Sequence, residues 1–160
     1  MKITTYTPDY NGSIAIVYTE TKELSQHLNP AQLDRVRALG EKFEEKWLEV
    51  QAGTDTAWVY KIGNAIDADA RAEKMRQAGN TLVLKANAAY LDRIAILGVH
   101  VPHVSEGAIL GNYQFLRYFS DSHKRKNSMA QLFVSKEDEQ TLAPIAIATM
   151  GALFARELVN

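Results

Sequence analysis

Two histidines lie three residues apart in His100-Val101-Pro102-His103, and imidazole is a common metal ligand. On a helix this spacing can place both rings on one face. Pro102 and the apolar run before it instead indicate the exit of a strand, and the carboxylate within a few residues is Glu106. We therefore expect two half-exposed loop histidines and no metal site.

The segment Asp121-Ser122-His123 contains the residue types of a serine-hydrolase triad, and the basic run Lys124-Arg125-Lys126 follows it directly. Triads are assembled in space from distant parts of a chain, so three adjacent side chains cannot easily converge on one reacting group. The basic run could bind phosphate or nucleic acid, but the chain carries a formal net charge of −1. An exposed hinge with solvated charges is the expectation for both segments.

Nucleotide sites need successive glycines that let backbone N–H groups approach phosphate, and neither G-x-G-x-x-G nor G-x-x-x-x-G-K-[ST] occurs here. Gly63 follows a predicted strand and is expected to form a simple turn. Asn87-Ala88-Ala89 is similar to part of a macro-domain motif, but it falls late in a predicted helix. Asp67 and Asp69 are explained by helix capping and by the favourable dipole at a helix start.

Composition limits the class of protein. The 18 basic and 19 acidic side chains nearly cancel, which gives none of the broad positive field that nucleic acid or an anionic membrane favours. The chain has no cysteine, so disulfides, thiolate metal sites and a cysteine nucleophile are excluded. No secretory signal is visible, and the weakly polar stretch 142–155 is shorter than the ~20 residues that cross a bilayer. These features predict a cytoplasmic domain without nucleic-acid or membrane partners.

Hydrophobic patterns predict alternating strands and helices. β-Branched and aromatic runs indicate strands at 14–18, 56–62, 93–97 and 129–134. Asn29 and Pro30 begin a helix whose buried face would include Phe43 and Trp47. Asp67 can cap a second helix that extends to about residue 91, and Ser105 a third over 105–119. This order predicts an α/β fold: a single domain, 1–160, with a mixed, largely parallel sheet in a three-layer α/β/α sandwich.

The last helix is apolar on both sides. Leu142, Ile145, Met150 and Leu153 follow a helical period, and the opposite side carries small or apolar residues in place of charges, namely Ala143, Ile147, Gly151 and Ala155. A helix without a polar face is expected to be covered nearly all round. We expect the first set to pack on the sheet and the second to face a surface that another domain or a second copy covers.

Residues 105–119, which include Glu106, Gly107, Gly111, Tyr113 and Phe115, match a helix of the form Glu-Gly-x-x-Leu-Gly-x-Tyr-x-Phe. The chain ends in Ala-Arg-Glu-Leu-Val-Asn at 155–160. Together these segments resemble the N-terminal domain of the M17 leucyl (cytosol) aminopeptidase family. The resemblance extends from about Trp58 onward, and it implies a macro-domain-like fold. The matching glycines and aromatics are expected to serve helix packing.

In that family the catalytic residues and two divalent metal ions, Zn or Mn, belong to a following domain, around a segment reading Asn-Thr-Asp-Ala-Glu-Gly-Arg that this chain lacks. The resemblance therefore implies a non-catalytic accessory domain with no catalytic, cofactor-binding or metal-ligating residue of its own. Its expected partners are a C-terminal catalytic domain of the same polypeptide and other subunits of a hexamer. The alternatives are a free-standing macro-like module that binds ADP-ribose or a nucleotide, and a stand-alone protein-interaction domain.

Overall fold

The architecture is a six-stranded mixed sheet between two layers of helices. A computed structural model describes residues 1–52, 55–63, 67–113 and 127–159. The strands are β1 (Lys2–Thr5), β2 (Ile14–Tyr18), β3 (Trp47–Ala52), β4 (Asp55–Lys61), β5 (Arg93–Gly98) and β6 (Gln131–Val134). The helices are α1 (Pro30–Leu39), α2 (Ala68–Ala88), α3 (Val101–Gly111) and α4 (Lys136–Val159), with 3-10 turns at Thr21–Gln26 and Gly40–Phe43.

The strand order is β1-β6-β5-β2-β4-β3, and every pairing is parallel except the one between β3 and β4. Residues of β2 alternate between two apolar clusters, because successive side chains of a strand point to opposite faces. Val17 joins the cluster under α2, α3 and α4, and Ile16 joins the cluster under α1. The predicted three-layer α/β/α sandwich is confirmed.

The four predicted strands are all present: β2 has the predicted ends, and the ends of β4, β5 and β6 differ by at most two residues. Two strands were not predicted. β1 is a short edge strand that pairs with β6 alone, so its sequence carries no run of buried residues. β3 begins at Trp47, which the sequence assigned to the buried face of the first helix.

The prediction that one helix carries both Phe43 and Trp47 is wrong. α1 begins as expected, with the Asn29 side chain accepting a hydrogen bond from the Gln32 backbone N–H at 3.0 Å, but it ends at Leu39. A 3-10 turn follows, and Glu45 then adopts a left-handed backbone with φ 56° that turns the chain into β3. Trp47 faces α2 from this strand, and its indole N–H donates to the carbonyl oxygen of Ala78 at 2.9 Å.

The prediction that Ser105 caps a helix over 105–119 is also wrong at its start. α3 begins four residues earlier, at Val101, and Pro102 occupies its first turn, where a missing N–H costs no hydrogen bond. Ser105 is buried inside the helix. The described helix ends at Gly111, and residues 114–119 of the predicted helix lie outside the described part of the chain. No described helix combines the length and hydropathy of a membrane span.

Candidate functional site

The glycines of the Glu-Gly-x-x-Leu-Gly motif build the contact between α2 and α3. A Cβ atom added to Gly107 would lie 1.9 Å from the backbone oxygen of Arg76, and one added to Gly79 would lie 1.9 Å from that of Val104. Such distances leave room for hydrogen alone, so the two helix backbones touch directly. Glu106 of the motif accepts a hydrogen bond from Arg76 Nε at 2.7 Å across the same contact. These motif residues therefore serve helix packing, as the sequence predicted.

Asparagine side chains join the ends of α2 and α3 to the start of β6. Asn112 Nδ2 donates to the carbonyl oxygen of Met129 at 2.8 Å, and the Met129 N–H donates to Asn112 Oδ1 at 3.0 Å and to Asn87 Oδ1 at 2.8 Å. Asn87 Nδ2 also donates to Asn112 Oδ1 at 3.1 Å. Asn87, singled out for its likeness to a macro-domain motif, is engaged by the protein's own backbone.

His100 and His103 lie where β5 passes into α3. His100 precedes the helix in a left-handed conformation with φ 56°, and His103 belongs to the first turn, so the expectation that both are loop residues holds only for His100. Their rings stack with centroids 6.2 Å apart, and both side chains are half-buried. Burial, with the charges of His103 and Arg71, lowers the pKa of His100. His103 Nδ1 and Arg71 Nε have no hydrogen-bond partner among the described residues.

The remaining acidic and glycine candidates have structural roles. Asp67 caps α2, since its Oδ1 accepts a hydrogen bond from the Ala70 N–H at 2.9 Å, and Asp69 follows in the first turn. A Cβ atom on Gly63 would lie 2.7 Å from Glu45 Oε1, so this glycine makes room for the Glu45 side chain. Within the described ranges, no three His, Cys, Asp or Glu side chains are grouped as metal ligands. The segments 121–123 and 124–126 and Phe115 lie outside those ranges.

A cleft of about 530 Å³ between β3 and α2 was not predicted from the sequence. Its floor is the buried pair Trp47 and Tyr60, whose ring centroids lie 5.2 Å apart. At its side Lys74 Nζ donates to both carboxylate oxygens of Glu45, at 2.7 and 2.8 Å. Burial, together with the charge of Glu45, raises the pKa of Tyr60 to about 12. The cleft is therefore aromatic at its base and charged at its rim.

The two sides of α4 differ in burial as the sequence predicted, wherever the side chains are described. Leu142 is fully buried and Ile145 packs against the core, whereas Ala143, Gly151 and Ala155 are exposed and Ile147 is 68% exposed. The predicted places of the Met150 and Leu153 side chains lie outside the described part of the structure. α4 thus presents an uncovered stripe of small and apolar residues.

Comparison with known proteins gives related chains that are larger. No family model matches the sequence. A probable cytosol aminopeptidase of Aquifex aeolicus (strain VF5) is 27% identical over 119 residues, which are 68% of this chain and 24% of that protein. The chain thus spans about a quarter of this curated relative.

Solved structures show the same fold. A mutant of tomato leucine aminopeptidase superposes with a TM-score of 0.67 at 14% identity, over 99% of this chain and 37% of that one. The bottromycin maturation enzyme BotP superposes with a TM-score of 0.64 at 18% identity, over 94% of this chain and 33% of that one. In each relative the matching region is part of a longer chain. The resemblance to the N-terminal domain of the M17 leucyl aminopeptidases is confirmed.

Proposed function

We propose that residues 1–160 form the non-catalytic N-terminal domain of a cytoplasmic, metal-dependent aminopeptidase that removes N-terminal amino acids from peptides. Catalysis, with two Zn or Mn ions, is assigned to a domain that follows in the same polypeptide. The observation that carries this proposal is the match to a quarter of a probable cytosol aminopeptidase. The role of the present domain is to support assembly of a hexamer and to shape access to the active site.

The contact between α2 and α3 supports a scaffolding role for the motif residues. Atoms of α2 fill the space beside Gly107 and Gly111, so no room for a substrate remains at either glycine. The exposed stripe of α4 supports a contact with a further domain, because contiguous exposed apolar surface marks interaction sites. Lys74 forms an ion pair with Glu45, and Arg76 forms one with Glu106. These charged side chains are thus engaged within the domain.

Hydrolysis of an aminoacyl p-nitroanilide tests the proposal. We expect the 160-residue chain to release no p-nitroaniline with Zn²⁺ or Mn²⁺ added. A polypeptide that continues past Asn160, encoded by the same reading frame, is expected to release it in a metal-dependent manner. Metal-dependent release by residues 1–160 that survives repurification would contradict a non-catalytic role. A continuing reading frame without Lys, Asp and Glu metal ligands would contradict the assignment to an aminopeptidase.

A further inference from the structure

β3 leaves one edge of the sheet open. Its antiparallel partner β4 lies on one side, in register from Trp47 opposite Tyr60 to Ala52 opposite Asp55. The described residues place no strand on its other side. In an antiparallel pair, alternate residues direct their N–H and C=O groups away from the partner. The outer side of β3 therefore carries backbone donors and acceptors on which a further strand could be built.

Two grooves flank this one strand. The α2-side groove is the cleft of about 530 Å³ described above, with Trp47 and Tyr60 at its floor and Glu45, Lys46, Lys74 and Lys85 among its lining residues. The α1-side groove, of about 450 Å³, lies on the opposite face between β3 and the start of α1. Its lining is Asn29, Ala31, Gln32, Arg35, Glu49, Val50 and Gln51. An added strand points its side chains alternately to the two faces, and hence alternately into the two grooves.

The grooves differ in their side chains. Lys46, Lys74 and Lys85 line the α2-side groove against Glu45. Glu49 pairs with Trp58 and so shares the face of Trp47, which leaves an excess of one positive charge over an aromatic floor. The α1-side groove has Arg35 on its helical wall, and amide side chains form much of its lining. Gln32 there is 5% exposed, and its Nε2 has no hydrogen-bond partner among the described residues. The first groove therefore suits acidic or aromatic side chains and the second suits neutral polar ones.

We propose that the open edge of β3 binds an extended peptide segment as an additional strand of the sheet. Its residues facing α2 are acidic or aromatic, and its residues facing α1 are neutral and polar. A second copy of this chain fits less well, because the Trp47, Leu48 and Val50 side chains of its own β3 are buried in its core and cannot fill the grooves. A peptide without a fold of its own has all its side chains available. The proposal goes beyond the proposed function and does not depend on it.

The test is a titration of the ¹⁵N-labelled chain with the peptide acetyl-Glu-Thr-Phe-Thr-Glu-Thr-amide, followed by NMR. We expect saturable shifts at the backbone amides of 47–51 and at the Trp47 indole N–H. Alternate β3 amides should also become protected from hydrogen exchange. The dissociation constant should be on the order of 0.1–1 mM, since a short flexible peptide loses conformational freedom on binding.

Charge supplies the controls. The same peptide with Lys in place of Glu is expected to bind about tenfold more weakly, because it meets the lysines of the α2-side groove. Lys85→Ala should weaken binding of the acidic peptide about two- to fivefold, the effect of one exposed ion pair. Lys136→Ala, an exposed lysine outside both grooves, should leave it unchanged.

Three results would overturn the proposal. The first is no saturable shift with the acidic peptide, and the second is binding centred away from β3 or equal for both peptides. The third is concentration-dependent pairing of two chains through the β3 amides, seen by sedimentation without peptide. None of these results bears on metal-dependent hydrolysis, so failure here is distinguishable from failure of the proposed function.

Discussion

At the scale of single residues, the helical glycines differ in whether an added Cβ atom would meet a neighbour. Gly107→Ala would place a methyl group 1.9 Å from the backbone oxygen of Arg76, so α2 and α3 would have to separate. We expect a loss of about 1–3 kcal/mol or more in the free energy of unfolding, measured by urea denaturation. Gly79→Ala, which meets Val104 at the same distance, should behave alike.

Gly151→Ala is the matched control, because a Cβ atom there has no neighbour within 4 Å. Alanine is favoured over glycine inside a helix by about 1 kcal/mol, so this variant should be slightly more stable than the parent. Equal effects at positions 107 and 151 would mean that helix propensity, and not the close contact of α2 with α3, determines the result.

His100 gives the chain a dependence on pH. Burial, followed by the charges of His103 and Arg71, lowers the pKa of His100 in the folded state below the ordinary value of 6.5. The unfolded chain therefore binds a proton more readily, and stability is full above about pH 6.5 and falls as the pH drops through the lowered pKa. We expect the melting temperature to decrease from pH 7 to pH 5.

His100→Asn should reduce this decrease, because it removes the titrating ring and asparagine tolerates a left-handed backbone. His27 provides the comparison, since burial lowers its pKa as well and it lies at the end of the 3-10 turn Thr21–Gln26, far from His100 in sequence. His27→Gln alone should leave the contribution of His100 in place. An unchanged pH dependence in His100→Asn would assign the effect to other groups.

At the scale of elements, predictions succeeded where one pattern had one physical explanation. β2 could be read from its sequence because it is buried on both faces and every residue is apolar. α2 could be read because Asp67 caps it and its apolar residues recur at helical spacing. The stretch 40–52 could not, because the four-residue spacing of Phe43 and Trp47 suits a helix and the strand signal beside it is short. Tertiary contacts decided there, with Trp47 bonded to α2.

The cleft beside β3 could not be predicted for the same reason. It depends on Glu45 and Lys74, which are 29 residues apart in sequence and meet only when the chain reverses at Glu45. The packing role of Gly107 in the Glu-Gly-x-x-Leu-Gly motif, in contrast, could be predicted from local chemistry, because small residues on one helix face favour close packing of helices. The start of α3 was missed because Ser105 looks like a cap, whereas Pro102 marked the true first turn.

Hydrogen bonds of the Asn87 and Asn112 side chains join α2, α3 and the start of β6. Asn112→Ala would remove both the donor to the Met129 carbonyl oxygen and an acceptor for its N–H. We expect a loss of roughly 1–3 kcal/mol in the free energy of unfolding, because a buried backbone carbonyl is left without its partner. Gln77→Ala, at an exposed amide side chain of α2, is the control and should change stability little. A silent Asn112→Ala would mean that Asn87 alone holds the start of β6.

At the scale of the whole molecule, the two sides of α4 have different roles. One side packs in the core of the domain, and we propose that the other contacts a further domain or subunit. Leu142 is fully buried against the sheet, so Leu142→Ala should cost roughly 2–5 kcal/mol as a cavity. Ile147 is 68% exposed, so Ile147→Asp should leave the melting temperature of residues 1–160 nearly unchanged. In a longer polypeptide with a catalytic domain, the same aspartate would place a charge in the covered interface that we propose.

We therefore expect Ile147→Asp to weaken assembly of that longer polypeptide, measured as a shift to smaller species by sedimentation, or to lower its stability without affecting the isolated domain. Leu84→Asp, at a leucine of α2 that is 55% exposed, is the control for a charge added at an exposed apolar position. The distinction rests on burial, because a charge is costly only where a partner removes its water. If Ile147→Asp unfolds residues 1–160 while Leu142→Ala is silent, the two sides are reversed. If it leaves the longer polypeptide unaffected, the stripe does not face a catalytic domain or a second subunit.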